Sequence, residues 1–202
     1  MAFPFITASP VIQSLPVPGL YFIPLFISES EEQNILQFLD TLPWSTELSR
    51  RVMHFGRKYN YRAKTAEPTV PMTGLIESIA QRIVSYSGFL GDLAPAAFDM
   101  CIVNEYTRSQ GIAGHVDAAI FGPVIYSLSL NEDTVMKFTS STGYCVPIFV
   151  PRFSLLIMTG AARYEWSHGI DKKVSYMVNG YKTTKLPSYR RISLTYRTMA
   201  SL

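Results

Sequence analysis

The chain has 202 residues, 48% of them hydrophobic, and a formal net charge of +3. That size and composition exclude a disordered chain or one that needs staples to fold, and predict one domain over residues 1–202 with its core at about 20–199. Cys101 and Cys145 are both flanked by apolar residues and are expected to be buried thiols, which excludes a disulfide scaffold; no apolar run reaches the ~20 residues of a membrane span and the N-terminus has no basic leader, so the reading is a soluble monomer of the cytoplasm, with the nucleus as a further compartment.

The proline-rich opening reads as an arm laid over the domain, followed by a short extended segment at 21–26. Ser28 with Glu31 forms a capping-box pattern, and Ile35, Leu36, Phe38 and Leu39 give the helix after it an apolar face until Pro43 stops it. Residues 49–61 read as a ribbon. A second helix is predicted over about 71–86, where Leu75, Ile76, Ile79 and Ile83 recur at helical spacing. Beyond it the period becomes that of strands, at 100–106, 122–129, 134–139, 144–150, 154–158 and 190–198. Short strands at such spacing predict an α+β fold, with a double-stranded β-helix (jelly roll) core buttressed by helices.

Of the three histidines, His115 and His168 combine with Asp117 in an H-x-D…H arrangement. Residues two apart in an extended segment point the same way, so His115 and Asp117 can share one face, and a return strand can bring in His168. Two nitrogens and one carboxylate leave half of an octahedral metal open, the requirement for an iron that must hold a chelating cosubstrate and O2 together. Arg191 and Arg197 also share a strand face, and a guanidinium there can clamp a dicarboxylate by paired hydrogen bonds. His54 reads as a packed residue, since the metal set is complete without it.

Asn104-x-Tyr106, His115-x-Asp117, His168-Gly169 and Arg191-x-x-x-x-x-Arg197 resemble the signature of the AlkB family of Fe(II)/2-oxoglutarate dioxygenases. The phrases RRVMHFGRKYNY at 50–61, VNEYTRSQGIAGHVD at 103–117, SLSL at 127–130 and PRFSLLIMTGAARYEWSHGI at 151–170 are most similar to the branch of that family that hydroxylates the wobble uridine of tRNA. The resemblance implies a dioxygenase using Fe(II), 2-oxoglutarate and O2, with His115, Asp117 and His168 as iron ligands. Arg191 would hold the distal carboxylate of 2-oxoglutarate, Asn104 and Tyr106 would complete cosubstrate binding, and Arg197 would lie near the proximal carboxylate and orient Asp117. Hydroxylation of an N-methyl releases formaldehyde, whereas hydroxylation of a 5-carboxymethyl or 5-methoxycarbonylmethyl side chain gives a stable alcohol. The site therefore allows a wobble-uridine hydroxylase or a demethylase of N-methylated bases in DNA or RNA, while a catalytically quiet RNA-binding or scaffold protein has no use for the triad and both arginines.

The family's nucleotide-recognition lid corresponds to 50–62, and its substrate candidates are Arg51, Phe55, Arg57, Tyr59 and Tyr61. Aromatics there can stack an extruded base while arginines meet phosphate, although Phe55 and Tyr61 serve equally well as core. Arg163 and Trp166 precede His168 and are candidates for the mouth of the site. The related branch has Gly-Glu-Ser-Arg where this chain has Gly160-Ala161-Ala162-Arg163, which removes a carboxylate, and the RNA-recognition, methyltransferase and cysteine-rich zinc segments of that branch are not seen here. The expected partner is nucleic acid, foremost tRNA, with a tRNA-delivering or methyltransferase protein as a further partner.

Overall fold

A computed structural model of the chain describes residues 11–60, 63 and 65–200. The chain enters through β1 (Gln13–Ser14) and β2 (Leu20–Ile23), then α1 (Glu29–Asp40). Ser28 and Glu31 close the predicted capping box reciprocally, which satisfies two otherwise unpaired N–H groups at the start of α1. Next come β3 (Val52–Phe55), β4 (Arg57–Asn60), β5 (Thr65–Pro68) and α2 (Gly74–Tyr86). The predicted ribbon is thus split. β3 joins the large sheet, whereas β4 pairs with β5 in a separate hairpin, and the chain turns between them at Gly56 with φ 75°. A Cβ at Gly56 would lie 2.2 Å from the Asp99 carbonyl oxygen, so only glycine fits.

The second half runs β6 (Met100–Thr107), β7 (Ile112–His115), β8 (Phe121–Leu130), β9 (Thr134–Thr139), β10 (Cys145–Val150), β11 (Leu155–Met158), α3 (Gly160–Tyr164), β12 (Ser167–Ile170), β13 (Ser175–Val178), β14 (Tyr181–Thr184) and β15 (Arg190–Met199). A seven-stranded antiparallel sheet has the order β1-β2-β11-β8-β15-β6-β3, and a four-stranded one the order β10-β9-β12-β7. The α+β class holds, but the expected double-stranded β-helix does not: among the described residues neither sheet closes on itself, no ladder joins the two, and β4–β5 and β13–β14 are separate two-stranded hairpins. Short strands at regular spacing specify antiparallel pairing but not closure, which depends on registers that no local pattern encodes.

Strand alternation creates two cores. Cys101 and Val103 of β6, Tyr126 and Leu128 of β8 and Ile192, Leu194 and Tyr196 of β15 face α1 and α2, where Ile35, Leu39, Ile76 and Ile83 meet them. Each fully buried aliphatic side chain contributes roughly 2 kcal/mol. The opposite face of the same strands carries Met100, Tyr106 and Ile125, which pack against Met136, Phe138 and Ile170 of the small sheet. Here the alternation has an odd feature: Asn104, Ser127, Arg191, Ser193, Thr195 and Arg197 are all buried polar residues that share this inner face. Of the thiols, Cys101 is buried as expected; Cys145, at the start of edge strand β10, is exposed.

Candidate metal centre and anion pocket

β7 ends on His115, and β12 pairs with it so that His168 lies opposite His115 in the register. That approach requires Gly169, where a Cβ would sit 2.8 Å from the Gly114 nitrogen and the Ile112 carbonyl oxygen. The two imidazole centroids are 4.5 Å apart. Asp117 follows just past the strand, and one ligand atom from each of His115, Asp117 and His168 lies within 4.8 Å of the others. Among the described residues this is the one such group able to hold a metal ion.

The surroundings set the three groups in ligand form. His115 Nδ1 donates to the Ala113 carbonyl oxygen at 2.9 Å, which leaves Nε2, 4.0 Å from Asp117 Oδ1, as the nitrogen facing the cluster. His168 stacks on Phe138 at 5.8 Å. Burial, reinforced by His115 and nearby arginines and opposed by Asp117, pushes its pKa down to about 4, so it is neutral at physiological pH. Burial alone would raise the Asp117 carboxyl, but the Arg197 guanidinium, by its charge and its hydrogen bonds, outweighs it and holds Asp117 below the ordinary carboxylate range. Arg197 reaches Asp117 through Nη2 to Oδ1 at 2.8 Å and Nε to Oδ2 at 3.3 Å.

Beside this cluster is a cavity of about 60 Å3 bounded by β6, β8 and β15, and Arg191 lies in its wall. Arg191 is 1% exposed, with Nη2 donating to Ser129 Oγ at 2.7 Å and the Tyr106 ring 5.6 Å from the guanidinium. Nε is buried without a hydrogen-bond partner, and no carboxylate pairs with Arg191 among the described residues. A buried guanidinium without an anion is costly unless a ligand supplies one. Asn104 and Tyr106 line the same cavity. The donor set and the unpaired Arg191 therefore fit Fe(II) with a carboxylate-bearing chelator, and Nδ1 of His168, also buried and unpaired, is a further group with capacity to spare.

The substrate candidates divide. Tyr59 is half-buried with its ring centroid 5.2 Å from that of Phe121 in an edge-to-face contact, and Phe121 in turn lies under the Arg197 guanidinium at 4.8 Å, so Tyr59 packs behind the residues that line the site. Trp166 is half-buried against the inter-sheet core and meets Tyr144. Arg57 is exposed on β4. Tyr61 lies outside the described residues. Three candidates are turned elsewhere. Phe55 is 4% exposed in the core beneath the helices, because it shares strand parity with Met53. Arg51 is paired with Glu105 and packs over Trp44 at 5.0 Å. Arg163 is 2% exposed and donates to the carbonyls of Asp117, Ala118, Phe121 and Gly122, so it braces the turn after His115 from behind instead of lining the mouth. His54 is half-buried with its pKa pushed down to about 4 by burial, and is outside the metal cluster.

Two residues were not legible as site residues. Arg50 lines the cavity and donates Nε to Asn104 Oδ1 at 2.8 Å, with its guanidinium 5.6 Å from the Tyr106 ring. Arg50 and Arg51 are adjacent cations on opposite sides of the backbone, and the sequence held no signal for which one turned inward. Ser129, the partner of Arg191, could have been found from the polar alternation Ser127-x-Ser129 in an otherwise apolar strand.

Comparison with known proteins places these residues in context. The profile of the 2OG-Fe(II) oxygenase superfamily matches residues 19–197. The chain is 34% identical over 172 residues to tRNA (carboxymethyluridine(34)-5-O)-methyltransferase ALKBH8 of Macaca fascicularis, covering 78% of this chain and 25% of that protein. It is 31% identical over 195 residues to a DNA N6-methyl adenine demethylase of Caenorhabditis elegans, covering 93% of this chain and 62% of that one. The chain spans about a quarter of the length of the ALKBH8 proteins it matches. Its fold is similar to that of OsALKBH1, with a TM-score of 0.70 at 16% identity, over 93% of this chain and 100% of the other.

Proposed function

This chain belongs to the 2OG-Fe(II) oxygenase superfamily as an AlkB-like member related to ALKBH-type proteins, and from that premise we propose that it hydroxylates a modified wobble uridine of tRNA, of the 5-carboxymethyl or 5-methoxycarbonylmethyl type. It is an oxygenase with a His-Asp-His facial triad. The observation that carries the reading is the pairing of that triad with the buried, anion-less Arg191 in one cavity wall. The wobble assignment is supported by the ALKBH8 likeness, whose printed name concerns carboxymethyluridine at position 34.

In this reading His115, Asp117 and His168 hold Fe(II), and Arg191, Asn104 and Tyr106 hold 2-oxoglutarate. Together with O2 these groups supply the oxidation that inserts one oxygen into a C–H bond, with succinate and CO2 as the other products. Arg191 would close its open Nε onto the distal carboxylate while Ser129 keeps the guanidinium in place. Arg197 neutralises Asp117 and aims its carboxylate, so that bringing a second carboxylate into the cleft costs less repulsion. His115, tied to the Ala113 carbonyl, offers Nε2 without rearrangement. Tyr59, beside Phe121, is the aromatic best placed to meet a base entering from the β4–β5 hairpin. An anticodon loop presents an already unpaired base, so little energy is spent on extrusion.

The test is mass spectrometry of tRNA nucleosides after incubation with Fe(II), 2-oxoglutarate and O2, with Asp117→Ala as control. The proposal expects one oxygen gained on 5-methoxycarbonylmethyluridine or its carboxymethyl form. A second reading, oxidative demethylation of an N-methylated base, is favoured by the likeness to the Caenorhabditis elegans demethylase. Loss of methyl from 1-methyladenine or 3-methylcytidine, with formaldehyde released and the wobble uridine unchanged, would move the assignment there.

A further inference from the structure

On β9, Val135 and Lys137 alternate with Met136 and Phe138. The latter two fill the inter-sheet core, so Val135 and Lys137 face outward, into a cleft bounded by the β13–β14 hairpin. That cleft has a volume of about 310 Å3 and is separated from the metal cluster by the small sheet. Four lysines line it, Lys137, Lys173, Lys182 and Lys185, against a single carboxylate, Asp171. Asp171 is already engaged, by Lys137 at 2.8 Å and by Lys173 at 3.5 Å.

Lys185 is the anomaly. It is 5% exposed, yet among the described residues its ammonium has no hydrogen bond or ion pair; its one neighbouring partner is the face of Tyr189 at 4.7 Å. Burial lowers its pKa, Arg191 lowers it further, and Asp171 opposes both. The side chain is buried up to an ammonium that borders the cleft, where no anion among the described residues pairs with it, and a group of opposite charge docking there is favourable. The cleft is open on one side, where Lys182 is exposed, so it can receive a group carried on a chain as well as a free ion. Tyr176 in its wall has its pKa pushed up to about 12 by burial and remains a hydroxyl donor. Lysines clustered in an open cleft with one carboxylate among them form a cationic surface that meets a backbone phosphate.

We propose that the cleft between the outer face of the small sheet and the β13–β14 hairpin is a phosphate-binding pocket, centred on Lys185 and Lys182, that takes a backbone phosphate of the RNA substrate away from the nucleotide being oxidised. The proposal rests on the nucleic-acid reading above and assigns a function to side chains the catalytic cleft leaves unused. It also offers a way for the domain to grip tRNA outside the active site.

The experiment compares wild type, Lys182→Gln and Lys185→Met in two arms. In the first, binding of an anticodon stem-loop RNA is measured against salt concentration. Wild type is expected to bind about tenfold more tightly than the Lys182→Gln, Lys185→Met double variant at low salt, with a log–log salt slope steeper by about one to two units. In the second, thermal shift with inorganic phosphate, at constant ionic strength, should stabilise wild type and not the double variant. Lys182 is exposed and Lys185→Met removes a buried charge, so neither change should unfold the protein, and both variants should oxidise a modified nucleoside at the wild-type rate. Equal RNA affinity and equal salt slope in all forms overturn the proposal. Loss of the phosphate shift with RNA binding unchanged also overturns it, by making the pocket a site for a free anion. If wild type binds no RNA, both this proposal and the nucleic-acid reading fail; if it binds RNA and only the double variant's affinity is unaltered, the nucleic-acid reading survives alone.

Discussion

Arg50 donates its Nε–H to Oδ1 of Asn104 at 2.8 Å. A guanidinium can only donate, so this bond fixes the orientation of the Asn104 amide and leaves its NH2 group for another acceptor in the cavity that both residues line. Arg50→Met should weaken 2-oxoglutarate binding about tenfold, the value of one oriented hydrogen bond to a charged group. In an Asn104→Ala background the same change should cost little, because Arg50 acts through Asn104. Calorimetric titration of the four proteins loaded with Mn(II) checks this; equal losses in both backgrounds mean that Arg50 meets the ligand directly.

Arg197 and Asp117 form a buried pair at 2.8 Å. Removing one partner of such a pair typically costs about 3–5 kcal/mol. Arg197→Met should therefore destabilise the metal-free protein, and saturating Mn(II) should recover part of the loss by supplying the missing positive charge to Asp117. Chemical denaturation with and without the metal is the measurement; no recovery by Mn(II) means that the Asp117 carboxylate does not face the ion.

Arg163 satisfies four backbone carbonyls around the turn after His115. Arg163→Met removes the guanidinium donors from these carbonyls, of which Ala118 keeps the Phe121 N–H at 3.1 Å, and should cost about 3 kcal/mol or more. Arg163→Lys should rescue only a minor part, since an ammonium cannot span the same four positions. A residue lining the mouth would instead change substrate KM while leaving the unfolding midpoint in place.

His54 and His168 both have pKa values pushed down to about 4 by burial. The unfolded chain then binds more protons than the folded one between about pH 6.5 and about pH 4, so stability rises with pH through that window and is lost as pH falls through it. Urea midpoints of the metal-free protein should drop from pH 7 to pH 4.5, and His54→Gln should remove part of the drop. A flat profile means that the two rings are hydrated in solution.

The helices α1 and α2, most strands and the metal triad were legible because each is written locally. Capping by Ser28 and Glu31, the helical spacing of Ile76, Ile79 and Ile83, and the two-residue step from His115 to Asp117 need no knowledge of distant chain. What failed depended on distant chain. Strand spacing predicts closure of the sheets, and among the described residues it is absent. For Phe55 the sequence leaves base stacking and core packing equally open, and pairing with Cys101 on β6 turns it into the core. The β13–β14 hairpin went unseen, its strands being short and its outward residues polar or exposed. Phe55→Ala should accordingly cost about 3–5 kcal/mol, whereas Tyr59→Ala should cost less stability and more substrate affinity; matched unfolding and RNA-binding measurements separate the two.

The account turns on Arg191 as the seat of a carboxylate ligand. Titration of 2-oxoglutarate into the Mn(II)-loaded protein under argon, for wild type and Arg191→Met, tests it directly. The expected result is one equivalent bound per chain by wild type and loss of that binding in Arg191→Met, with Mn(II) affinity unchanged. Binding of 2-oxoglutarate that persists in Arg191→Met would contradict it, and so would wild-type binding that does not depend on the metal.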